Sequence, residues 1–140
     1  MRVVLDTNIL ISACWKAGGL EDQVLSLGLA GHFTIVVSPT LWAEYLDVLA
    51  RPKFLKVKPR IDAMLARFQA LRVEPAVKLD LATDPDDNCV LECALAAGAA
   101  YIVTGNLKHY PLDWQVARIV NARHFLEDNH YSILVASAVP

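Results

Sequence analysis

Oxygen-bearing side chains stand at four separated points where short apolar runs end or helices begin. Asp6 follows Arg2 to Leu5, Glu44 lies one turn into the segment opened by Ser38-Pro39, Asp87 closes the run Asp84-Pro85-Asp86-Asp87, and Asn106 follows Tyr101 to Thr104. Donors of this kind, with no His or Cys among them, suit a hard divalent cation: magnesium and manganese prefer carboxylate oxygen and keep several waters. Without a cation the gathering is unfavourable, because like charges at short range raise one another's pKa. Replacing Asp6 or Asp87 by its amide is therefore expected to leave the metal-free fold at least as stable. Each residue also has a plainer role open to it. Asp6, Thr7 and Asn8 can cap a helix start, Glu44 can be an exposed helix residue, and Asp84 has the spacing of a cap around Pro85. Three carboxylates within four residues, Asp84, Asp86 and Asp87, exceed what a cap requires, which points to one of them as a ligand.

The elements that must position these residues follow from the apolar pattern. Arg2 to Leu5, Phe33 to Val37, Tyr101 to Thr104 and Arg118 to Val120 are short apolar runs, read as buried strands. Between them lie helical patterns: Ile9 to Ala17, Leu20 to Ala30 closed by Gly31, and a helix opened by Ser38-Pro39 that ends before Pro52. A further helix opens at Pro59, with Ile61, Leu65, Phe68 and Leu71 as its stripe, and a long one runs from Asp84 to Ala97 and stops at Gly98. Val73 to Leu79 reads as loop or a short edge because Pro75 weakens a strand, and Asn121 can cap a final short helix. Strands alternating with helices, without polar alternation in the strands, predict an α/β fold whose parallel sheet is covered on both faces. Ligands in such folds bind outside the carboxyl ends of the strands, where Asp6 and Asn106 fall.

With 140 residues, 55% of them hydrophobic and 20% charged, residues 1–140 form one domain with a real core and apolar surface to spare for a partner. A net charge of −2 excludes nucleic-acid binding through the overall field, so any such contact must be local. The best basic stretch, Arg51, Lys53, Lys56, Lys58 and Arg60, reads as a solvated loop. Three cysteines cannot all pair and no signal peptide opens the chain, which points to the cytoplasm; no apolar run is long enough for a membrane span. Cys14, Cys89 and Cys93 read as small buried hydrophobes. No histidine pair has the H-E-x-x-H spacing, and His109 reads as a surface-loop residue.

Four segments together resemble the successive motifs of PIN domains: V-V-L-D-T-N-I-L-I-S from Val3, S-P-T-L-W-A-E-Y from Ser38, D-P-D-D-N-C-V-L-E-C-A-L-A from Asp84, and Y-I-V-T-G-N from Tyr101. The likeness extends from Arg2 to about Leu126 and is greatest to the small stand-alone PIN proteins of toxin–antitoxin pairs, the VapC-like toxins. It implies a three-layer α/β/α domain with a central, mainly parallel sheet, and magnesium- or manganese-dependent hydrolysis of RNA phosphodiesters. By position, Asp6, Glu44 and Asp87 match the family's catalytic metal ligands, while Asn106 replaces what is commonly an Asp. A neutral amide keeps one oxygen and loses a charge, so a second metal is expected to bind more weakly. Thr7, Asn8 and Thr104 lie where hydrogen bonds would orient the carboxylates. A cognate antitoxin and a homodimer are the partners the resemblance implies. Two other readings fit parts of the pattern. One is a PIN-fold domain that binds RNA or regulates without cleaving it, which Asn106 favours. The other is a phospho-acceptor module, which would want a second acidic residue beside Asp6 and a late Lys.

Overall fold

The computed structural model describes residues 1–132. Among these, five strands form one sheet in the order β3-β2-β1-β4-β5, and every neighbouring pair is parallel. The strands are β1 (Arg2–Leu5), β2 (Thr34–Val37), β3 (Leu71–Arg72), β4 (Tyr101–Val103) and β5 (Arg118–Val120). Helices α1 (Thr7–Trp15), α2 (Leu20–Leu29), α3 (Pro39–Leu49), α4 (Lys58–Arg67), α5 (Asn88–Ala97) and α6 (Ala122–Asp128) flank it. The result is a three-layer α/β/α domain. Helix α2 packs on α1, α6 and β2, whereas α5 packs on α3 and on β1, β2 and β4. Val3, Val4, Leu5, Val36 and Ile102 are wholly buried between these layers, which is why the strands show no polar alternation. None of the described helices is long and apolar enough to cross a membrane.

Local chemistry sets most of the boundaries. Ser38 Oγ accepts from the Leu41 N–H at 3.1 Å with Pro39 in the first turn, so α3 starts as its sequence predicts. Gly98 takes the left-handed conformation (φ 60°) that stops α5, and Asn121 caps α6 by accepting from the His124 N–H at 2.8 Å.

Other expectations are corrected. The basic stretch is no loop: Pro52–Val57 is a 3₁₀ helix that leads directly into α4, which begins at Lys58. The acidic run does not open the long helix either; Asp84 caps a separate 3₁₀ turn, Pro85–Asp87, and the α-helix starts at Asn88. Val73 to Leu79 is irregular, in keeping with its reading as loop, but Leu71, read as the end of a helix stripe, belongs instead to a short edge strand that pairs Leu71 with Val36 and Arg72 with Val37.

This order fixes the functional rim. From β1 the chain proceeds to β2 and β3 on one side, then crosses back to β4 and β5 on the other. The connections thus diverge between β1 and β4, where α/β sheets leave a crevice at their carboxyl ends. Asp6 and Thr104 stand just beyond those two ends, and the Asp6 N–H donates to the Val103 carbonyl at 2.9 Å.

Candidate active site

Asp6 is the most tightly held residue of the rim. It ends β1 and serves as N-cap of α1, with Oδ1 accepting from the Thr7 N–H at 2.8 Å. Its other oxygen accepts from the Thr104 hydroxyl at 2.8 Å, the Tyr110 hydroxyl at 2.8 Å and the Asn8 amide at 3.1 Å. Only 3% of the residue is exposed, and four donors offset the cost of burying it. Asp6 is therefore a helix cap, as one reading of its position had it, and its second oxygen is at the same time held on the rim. The arrangement also corrects the expectation for its amide variant: an Asn would turn an NH₂ group or a weaker acceptor toward these donors, so Asp6→Asn loses stability.

Glu44 reaches the same rim from α3. The Tyr45 hydroxyl donates to the Leu5 carbonyl, which fastens that helix to the end of β1. The Thr7 hydroxyl then donates to Glu44 Oε2 at 2.6 Å. Burial raises the Glu44 pKa above the usual carboxylate range; the Thr7 hydrogen bond opposes this, and the charges of Asp6, Asp87 and Asp86 add to it. Asp87 is shifted up in the same way, by burial first and then by Asp6, with the His109 hydrogen bond opposing. The mutual influence places the three carboxylates, from three elements, within electrostatic reach of one another; among the described residues the one group of three whose ligand-capable atoms lie within 4.8 Å is Asp84, Asp87 and His109. Each leaves unused acceptor capacity: Asp6 Oδ1 has one donor, while Glu44 Oε1 and Asp87 Oδ1 have none among the described residues. A hard cation fits this donor set.

Asn106 comes only part of the way. Its N–H donates to Thr104 Oγ1 at 3.0 Å, which ties its backbone to the site, but the side chain is exposed and hydrogen-bonds to none of the three carboxylates. Asp84 acts as the expected cap, accepting from the Asp86 N–H at 3.0 Å. Thr7 and Thr104 orient carboxylates as expected, and Asn8 also accepts from the Gly105 N–H at 2.8 Å, closing the gap between β1 and the loop after β4.

His109 stays partly exposed, in the short 3₁₀ turn Leu107–His109 after β4, but it does more than a surface-loop residue would. Its Nδ1 lies 3.1 Å from Asp87 Oδ2, and ligand-capable atoms of Asp84, Asp87 and His109 all lie within 4.8 Å of one another. Tyr110 escaped the sequence reading altogether. Burial and the charges of Asp6 and Asp87 push its pKa far up, so it remains a donor to Asp6. Its one available signal was general: a buried Tyr hydroxyl needs a partner. Asn88 and Glu92 were also missed; Asn88 Oδ1 accepts from the Leu81 and Ala82 N–H groups, and Glu92 Oε2 from that of Leu79, so both hold the loop before α5. Cys89, close to the carboxylates, is held as a thiol, its pKa pushed up to about 12 by burial and by Glu44, Asp6 and Asp87. It is no nucleophile at neutral pH.

Comparison with known proteins agrees with the fold. The PIN domain matches residues 2–108. An uncharacterized protein of Methanocaldococcus jannaschii is 29% identical over 111 residues, which cover 76% of this chain and 71% of that protein. The crystal structure of VapBC2 from Rickettsia felis, bound to a DNA fragment from their promoter, superposes with a TM-score of 0.59 at 22% identity. That match covers 86% of this chain and 98% of the other, and speaks to the fold.

Proposed function

The chain belongs to the PIN domain family, and from that premise we propose that it is a magnesium- or manganese-dependent ribonuclease, the toxin of a toxin–antitoxin pair. The observation that carries the proposal is that Asp6, beyond the strand end where the sheet's connections diverge, acts electrostatically on both Glu44 and Asp87, each of the three having acceptor capacity to spare. When bound, the cation supplies an acidified water and charge stabilisation for in-line displacement at a phosphodiester. The chain supplies position: Thr104, Tyr110, Asn8 and the Thr7 N–H hold Asp6, the Thr7 hydroxyl holds Glu44, and His109 holds Asp87. Such partners fix the direction of a metal ligand. Asn106 serves as a fourth, neutral oxygen donor in this reading.

Asp87→Asn is the cleaner test, since Asp6→Asn also weakens the fold. The Asp87→Asn variant should keep its circular dichroism spectrum and lose manganese-dependent cleavage of single-stranded RNA. The loss should exceed the roughly 100-fold that disturbing an outer partner of a metal ligand already costs. Near-wild-type turnover would sink the ligand assignment. Absence of cleavage in the wild type, with RNA binding retained, would favour the non-cleaving reading that Asn106 keeps open.

Protein partners are part of the same proposal. One solved structure of similar fold is a VapBC2 assembly, and this chain carries an apolar cleft of about 240 Å³ between α3 and α4, with Leu46 and Leu55 exposed at its lip. We expect the isolated chain to sediment as a homodimer at micromolar concentration; a monomer there would defeat that part.

A further inference from the structure

The acidic rim continues into a cleft of about 570 Å³ between α3 and α5. Thr40, Glu44, Asp47 and Arg51 line its α3 side at steps of four, three and four residues, so they share one helix face. Arg51 stands just past the end of that helix, about 10 Å along the axis from Glu44 at the usual helical rise. Lys78 enters the cleft from the segment before α5. The cleft therefore has Glu44 and Asp86 on its rim side, and farther along it Arg51 and Lys78, each beside a carboxylate of its own, Asp47 and Glu92.

Neither cation is firmly committed. Arg51 Nη2 lies 3.5 Å from Asp47 Oδ2 with both side chains more than half exposed, and Lys78 Nζ lies 4.0 Å from Glu92 Oε1 while 93% exposed. Exposed pairs of this kind contribute little and exchange readily for another anion. Of the other cations of the basic stretch, Lys58 pairs with Asp62 at 2.7 Å, Arg60 with Asp22 and the Ala13 carbonyl, and Lys53 lies over the Phe54 ring, while Lys56 has no partner among the described residues and does not line the cleft. In a chain of net charge −2, a contact with a polyanion must be local, and this cleft joins the carboxylate rim to cations able to make it.

We infer that Arg51 and Lys78 hold a backbone phosphate of single-stranded RNA next to the phosphate at the acidic rim, and so lay the strand along the α3–α5 cleft. The inference rests on the nuclease reading for the rim. A cleft of this volume lies in the range of small-ligand sites. Arg51 and Lys78 are positioning residues, because the reacting phosphate lies at the other end.

The test is fluorescence anisotropy with a labelled single-stranded RNA of about 12 nucleotides. It is read in calcium across a salt series, with the RNA shown to be intact afterwards. The double variant Arg51→Ala/Lys78→Ala should weaken binding roughly tenfold in moderate salt and lower the slope of log K against log salt by about 0.7, the value of one phosphate contact on a single strand. Arg123→Ala, on the outer face of α6 and paired there with Glu127, is the control and should change neither. In manganese, KM for the same RNA should rise in the double variant by a larger factor than kcat falls. Unchanged binding and slope in the double variant, an equal loss in the control, or no binding by the wild type would each overturn the inference. Should the wild type leave RNA uncut in manganese while the double variant still loses affinity, the nuclease reading fails and the phosphate contact stands.

Discussion

Asn106 separates inherited chemistry from what this chain does. The structure narrows its roles, since its side chain is exposed and donates to none of the three carboxylates. If it serves as a neutral fourth ligand, Asn106→Asp adds a charged oxygen where a hard cation gains from one, and manganese binding measured calorimetrically should tighten roughly tenfold, about 1.4 kcal/mol. Equal or weaker binding would place Asn106 away from the cation, as a donor to RNA or as plain surface. The same residue shows what was legible at this scale. Asp6, Glu44 and Asp87 were visible because a carboxylate at a strand or helix end is conspicuous against apolar surroundings, and in the structure the charge of Asp6 acts on both of the others. Tyr110 and His109 were not, because their partners lie 104 and 22 residues away and no local spacing encodes such a meeting.

Helices with a cap or a Gly stop were legible, as Ser38, Gly98 and Asn121 show. Boundaries set by tertiary packing were not. Ile61, Leu65, Phe68 and Leu71 keep helical spacing, yet α4 ends at Arg67 and Phe68 turns extended (φ −70°, ψ 121°). Its ring packs 5.3 Å from Trp42 and 6.0 Å from Tyr45, and Leu71 is thereby delivered to the edge of the sheet as β3. A two-residue, exposed strand leaves no periodic trace. The seam between α2 and β2 is equally silent in the sequence, because it depends on a missing side chain. A Cβ at Gly28 would stand 2.8 Å from Ile35 Cδ1 and 2.9 Å from Phe33 Cε2, and both neighbours are buried. Gly28→Ala therefore overpacks the core at a cost near the upper end of about 1–3 kcal/mol, of which better helix propensity returns about 1. A Tm lowered by roughly 6–8 °C is expected, and an unchanged melting curve would show that the seam has room.

At the scale of the molecule, the alternation of strand and helix already predicted the three layers, since a parallel sheet with connecting helices on both faces has few other solutions. The unfavourable gathering of carboxylates without a cation was also expected; what the sequence could not foretell is that burial is its first cause at Glu44. Glu44 titrates above its ordinary range, from burial first and then from Asp6, Asp87 and Asp86, with Thr7 opposing. A carboxyl whose folded pKa is raised holds its proton longer in the folded state than in the unfolded one. Across that interval the folded state binds more protons, so stability falls as pH rises. The penalty is absent below the unfolded value of about 4.3 and complete once pH has passed the raised folded value. Glu44→Gln removes this titration, and the Gln carbonyl can still accept from the Thr7 hydroxyl. In EDTA, the Tm of Glu44→Gln minus that of the wild type should therefore increase between pH 4 and neutrality, through the Glu44 window, and then level off. A difference that stays flat across this range would mean that the wild-type carboxylate feels neither its burial nor its neighbours, and the rim would lose its main reason for needing a cation.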